Sequence, residues 1–238
     1  LAHFLLEAPK FVVEWIQPPM ARTRSANYED VQLGILSKAA RLFAKNGYER
    51  TSVSDLVAAC NLSRGAIYHY FESKEAILFA MLDKLVRSLL QRLEAARSKG
   101  GAPTEKLLRV VEEFFLHNAN SPDEQVILLN DLGALSKAEQ KHIVELERKV
   151  VTLLTEILVD NDKCGKMNAD NKKLYTMMFV GIINYTYTWY DPKGSIKPRE
   201  LARLATDLFL NGFLAEGRGL ERQSVVSQAP LSRRPARN

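Results

Sequence analysis

The residues of this 238-residue sequence that could do chemistry lie in one short run, Ser63-Arg64-Gly65-Ala66-Ile67-Tyr68-His69-Tyr70. A serine able to cap a helix precedes one cation and two tiny residues, and two tyrosines flank a histidine at the far end. Arginine can give a guanine edge two hydrogen bonds, and small neighbours let the backbone approach base edges and phosphates closely. Tyrosine hydroxyls suit phosphate oxygens, as does Lys74 at the start of the following helix. Bond-making chemistry has no comparable support. Cys60 and Cys164 show no Cys-x-x-Cys spacing, and His3, His69, His117 and His142 show no metal-ligand spacing. With no nucleophile–base pair either, the reading is a binding protein rather than an enzyme, with no cofactor and no metal.

Two short helices must hold these residues. Thr51 or Ser52 can cap the first, and Asp55 follows Ser52 by three places, like the second half of a capping box. Val53, Leu56, Val57 and Cys60 give that helix one apolar face. Asn61-Leu62 makes the turn, because asparagine tolerates the left-handed conformation that ends many helices. Ser63 caps the second helix and Ser73 a third that begins at Lys74. Two helices of about two turns, joined by about four residues, form a helix-turn-helix. Leu62, Ile67 and Phe71 read as packing residues; His69 reads either as a phosphate contact or as a solvated side chain.

This run resembles the DNA-binding domain of TetR-family transcriptional repressors. The resemblance is carried by Thr51, Ser52 and Val53; by Leu62, Ser63, Arg64 and Gly65; by Tyr68, His69, Tyr70 and Phe71; and by Ser73, Lys74 and Glu75. Asn61 stands where the family usually has glycine and can take the same backbone conformation. The resemblance implies double-stranded operator DNA as a partner. Thr51, Ser52, Tyr68, His69 and Lys74 would hold phosphates, Arg64 and Ala66 would read bases, and Ser63, Gly65 and Tyr70 complete the DNA-facing set.

Charge and length agree. The formal charge of +5 and pI of about 9.1 suit a nucleic-acid partner, and 46% apolar residues sustain a sizeable core. The cysteine usage fits a reducing cytoplasm. No stretch reaches the roughly eighteen unbroken apolar residues of a membrane span, so no membrane partner is expected. Residues 1–25 read as an N-terminal extension: the first nineteen are either a segment upstream of a natural start at Met20 or a loose arm. Arg22 and Arg24 form a basic arm for DNA or a solvated tail. Residues 26–73 are the helix-turn-helix domain, 74–216 a helical effector and dimerisation domain, and 217–238 a disordered basic tail.

The periodicity predicts an all-α chain. A helix over 30–46 carries Val31, Ile35, Ala39 and Phe43, with Gly47 at its end. A long helix from Lys74 to Ser98 carries Leu78, Leu82, Leu85, Leu89 and Leu93 and links the two domains. Helices follow over 104–118, from Ser121-Pro122, from the capping box Ser136-x-x-Glu139, over 171–190, and from Pro198. The 171–190 segment is apolar nearly all round and is expected to be covered on more than one side, which predicts a homodimer through the last two helices. The second half looks closest to TetR regulators of acyl-CoA catabolism, on Leu128 to Leu132, Leu146 to Lys149 and Gly181 to Asn184. That implies a small hydrophobic effector, such as an acyl-CoA thioester, at Arg148, Phe179, Asn184, Tyr185 and Trp189. Each of these also reads as core, interface or surface. A drug or free aromatic acid as effector, and a helical acyl-thioester carrier without an operator, are the alternatives.

Overall fold

Three serines start successive helices of the N-terminal unit. The computed structural model describes residues 26–191 and 193–214; the expected extension with Arg22 and Arg24, and the tail over 217–238, lie outside them. α1 spans Ala26–Asn46, α2 Val53–Cys60, α3 Arg64–Tyr70 and α4 Lys74–Ser98. Ser52 accepts from the Asp55 amide at 3.2 Å while Asp55 accepts from the Ser52 amide at 2.8 Å, the reciprocal capping box. The hydroxyls of Ser63 and Ser73 accept from the amides of Ala66 and Ala76, both at 3.1 Å. Such caps are worth about 1 kcal/mol each. α1 starts four residues earlier than its apolar period, because the polar turn around Glu29 has no buried residue to mark it.

The turn between α2 and α3 is fixed by backbone conformation. Asn61 adopts φ 53°, ψ 45°, the left-handed region, and its amide reaches the last carbonyls of α2. Lys38 on α1 also donates to the Cys60 carbonyl at 3.3 Å. α1 ends with Gly47 at φ 85°, and Tyr48 folds back so that its ring meets Phe43 edge-on at 5.1 Å.

The second half contains α5 (Pro103–Asn120), α6 (Pro122–Asp131), α7 (Lys137–Asn161), α8 (Lys172–Asn184) and α9 (Pro198–Leu214). The leucine stripe of α4 is buried and packs on α5 and α7; α9 lies along α5, and α6 lies along α1. Ser136 and Glu139 form the expected capping box of α7. Ser121 gives α6 no side-chain cap, so Pro122 alone marks that start.

The helix expected over 171–190 stops at Asn184 and passes into a 3-10 turn, Tyr185–Thr188. Two threonine hydroxyls bond back onto this turn: Thr186 donates to the Ile183 carbonyl at 2.6 Å and Thr188 to the Tyr185 carbonyl at 2.7 Å. The segment is also not covered all round. Phe179 and Ile183 are buried, but Leu174, Met177, Met178 and Ile182 are exposed on the opposite face.

Candidate nucleic-acid interface and ligand cavity

α3 is held by one side and presents the other. Ile67 and Phe71, four residues apart, are buried, while Arg64, Gly65, Tyr68 and His69 face outward. Ser63, at the cap, is exposed; Ala66 and Tyr70 are half-buried. The Arg64 guanidinium donates to the Ser54 hydroxyl of α2 at 2.9 Å, which steadies it and leaves its other donors outward.

Gly65 has no role inside the fold. A β-carbon built there meets only the Ser63 hydroxyl, at 4.0 Å, and its backbone is not left-handed. Glycine in a helix is less stable than alanine by roughly 0.5–1 kcal/mol. What a glycine gives here is close approach by something outside the chain.

Tyr28, near the start of α1, joins this surface unannounced by the sequence. Its ring lies 4.6 Å from that of Tyr70 and 5.9 Å from that of His69. It precedes the apolar stripe that defined α1, so periodicity gave no reason to place it near α3.

Two expected phosphate contacts are corrected. Thr51 is 1% exposed, and its hydroxyl donates to the Gly47 carbonyl at 2.9 Å. It locks the α1–α2 connection and leaves the DNA-facing set. Lys74 points back into the domain. Its ammonium donates to the carbonyls of Tyr48 at 3.0 Å and Thr51 at 3.2 Å and sits 4.1 Å from the centre of the Tyr48 ring. Ser52 stays exposed, with its hydroxyl on Asp55 at 2.7 Å; hydrogen bonds from the Ser52 amide and then hydroxyl hold the Asp55 carboxyl below its ordinary range.

The second domain contains a cavity of about 90 Å³ between α4, α5, α6, α7 and α8. Leu85, Val86, Leu89 and Phe114 make apolar wall; His117, Gln125, Glu147 and Asn184 are its polar members. Asn184 is thus the one predicted effector residue at the cavity. Phe179 is fully buried against Phe209, ring centres 4.6 Å apart, and belongs to the core. Tyr185 and Trp189 are 66% and 60% exposed, because the chain turns outward after Asn184. Arg148 is exposed on α7; its neighbour Glu147 turns inward instead. Wider grooves of about 930 and 630 Å³ elsewhere are lined by charges of both signs.

Burial, and then the charge of Arg92, depress the His117 imidazole to about 4, so the ring is neutral near pH 7. Burial raises the Glu147 carboxyl. Both residues were legible in hindsight. His117 continues the α5 stripe three places beyond Phe114, and Glu147 sits between Ile143 and Val150 on the inward face of α7. Among the described residues no cluster could hold a metal ion, and no helix is long and apolar enough to cross a membrane.

Comparison with known proteins fits this architecture. Residues 35–81 match the model of the bacterial regulatory proteins of the tetR family, and residues 100–213 that of the tetracyclin repressor-like C-terminal domain. A TetR-family transcriptional regulator from Bordetella parapertussis 12822 is 36% identical, with a TM-score of 0.73 over 79% of this chain and 97% of that one. The chain belongs to the TetR family. TetR-family members are regulators of transcription, and α2 and α3 are this regulator's DNA-binding helix-turn-helix. The transcriptional repressor KstR2 of Mycolicibacterium smegmatis is 24% identical over 181 residues, 75% of this chain and 88% of that protein. AibR, solved in complex with isovaleryl coenzyme A and operator DNA, is 24% identical with a TM-score of 0.64, over 75% of this chain and 97% of that one; this TetR chain shares its fold.

Proposed function

We propose that this TetR-family regulator is a homodimeric repressor that leaves its operator when a small apolar effector, presented as an acyl-CoA thioester, enters the second domain. The observation that carries the DNA half is the outer face of α3: an exposed arginine, a glycine with open space above it, and exposed Tyr68 and His69. Paired in a dimer, two such helices would enter major grooves about one DNA turn apart. Two further observations support a dimer through α8 and α9. Leu174, Met177, Met178 and Ile182 form a stripe at helical spacing, and Leu204 and Leu208 of α9 are exposed as well. Exposed large apolar side chains gathered on two helices in this way suit a surface covered by a second copy.

The effector half draws support from the mostly apolar cavity and from AibR, which is solved in complex with isovaleryl coenzyme A and operator DNA. Two helices lead from the cavity to the DNA-binding unit. α4 lines it with Leu85, Val86 and Leu89 and carries Lys74 at its start. α6 lines it with Gln125 and Leu128 while packing on α1. Release requires the effector to bind the off-operator arrangement more tightly than the operator-bound one.

Fluorescence anisotropy on DNA fragments upstream of the protein's own gene and its neighbours tests the reading. Wild type binds one fragment far more tightly than random duplex, and the affinity falls steeply with salt. Arg64→Ala loses about 1–3 kcal/mol on the specific fragment and little on random DNA. Equal loss on both would remove Arg64 from base readout. Titration with short acyl-CoA thioesters lowers the anisotropy; release by free aromatic acids alone would replace the effector class.

A further inference from the structure

We infer that the cavity is built for an uncharged hydroxyl on a short ligand arm, which pairs with Nε2 of His117, and that it rejects a carboxylate. This deepens the reading of the cavity as the effector site and rests on it. His117 is 5% exposed and lines the cavity, and its Nε2 has no hydrogen-bond partner among the described residues. Buried polar atoms in folded proteins are nearly always paired, so an orphan on a cavity wall marks a missing partner. Burial, and then the charge of Arg92, keep the ring neutral near pH 7, so Nε2 carries either the N–H or a bare lone pair.

A hydroxyl has both a proton and lone pairs, so it can pair with Nε2 in either tautomer. A carboxylate would meet Glu147, which lines the same cavity. About 90 Å³ admits roughly three waters or an arm of a few carbons, not a long chain or a fused ring.

The test uses the full-length protein and four probes: butyryl-CoA, 3-hydroxybutyryl-CoA, butyrate and 2-butanol. Calorimetry is expected to show the hydroxylated thioester binding about tenfold or more tightly than butyryl-CoA, since a site with a waiting hydrogen-bond partner penalises the analogue that lacks it. His117→Leu, with its fold checked by melting, abolishes that preference, and His117→Gln keeps part of it. Independently of any variant, the 15N resonance of Nε2 shifts with 3-hydroxybutyryl-CoA and with 2-butanol, and not with butyrate. If both thioesters bind equally and the resonance stays still, the inference is overturned while the acyl-CoA reading stands. If neither thioester binds but 2-butanol moves the resonance, the acyl-CoA reading fails and the hydroxyl site stands. Silence from every probe, a cavity filled by water alone, overturns it, as does preferential binding of butyrate.

Discussion

Tyr28 of α1 lies against Tyr70 of α3 with ring centres 4.6 Å apart, and the same ring meets His69 edge-on. The exposed end of the recognition helix is therefore positioned by a residue from another helix. Aromatic pairs of this kind contribute about 0.5–1.5 kcal/mol beyond area burial. Tyr28→Ala is expected to weaken specific DNA binding by about five- to tenfold, while Tyr28→Phe retains most of it. Anisotropy titrations on the specific fragment measure both. If Ala and wild type bind alike, the aromatic contact does not position α3.

Gly65→Ala separates stability from binding. With open space at the β-carbon, the variant is expected to melt no lower than wild type and to gain up to about 1 kcal/mol. The same methyl group would stand between α3 and the groove floor, so specific DNA affinity should fall by about tenfold or more. A variant that binds normally would show that nothing approaches this position closely.

His117 makes stability depend on acid. Its folded imidazole is held at about 4 against an ordinary 6.5, by burial first and by Arg92 second. Between those values the unfolded chain binds the proton and the folded one does not, so stability falls as pH drops through the window from 6.5 to 4. The full loss, below about 4, is roughly 3 kcal/mol. Urea melts of wild type and His117→Gln across that range measure it: the slope attributable to this residue should vanish in the variant.

Leu208 and Met178 are 72% and 57% exposed, so charge at either position should leave the isolated fold almost untouched. Leu208→Glu and Met178→Glu are expected to give a monomer by light scattering, with a thermal transition close to that of a diluted wild type. Operator affinity then falls by more than tenfold, because two linked half-sites no longer bind together. A Leu208→Glu protein that remains a dimer would place the interface elsewhere.

Local signals dominate the N-terminal unit, which is why so much of it was legible. Ser52, Asn61 and Ser63 each act on backbone within a few residues of themselves, and their types announce the action. The Lys74 to Ser98 stripe and the Ser136 box were readable for the same reason. Thr51 and Lys74 misled because their types suit phosphate and carbonyl equally; only the close return of Gly47 and Tyr48 decides between them. In the second domain the aromatic run misled more. Tyr185 and Trp189 look like pocket material, but the helix gives way to a 3-10 turn at Tyr185 and both side chains end exposed. The polar residues that do reach the cavity, His117 and Glu147, are single departures within apolar stripes, and which departures meet one another depends on how five helices cross.

The grip of Lys74 on the carbonyls of Tyr48 and Thr51 has a mechanical consequence. It fastens the first residue of α4 to the corner where α1 hands over to α2. At 1.5 Å per residue, the fifteen residues from Lys74 to Leu89 make an arm of about 22 Å. A pivot of about 5° near Leu89 would sweep the bolted corner through an arc of about 2 Å. Mirrored in a second protomer, that is a change in span a rigid duplex would feel.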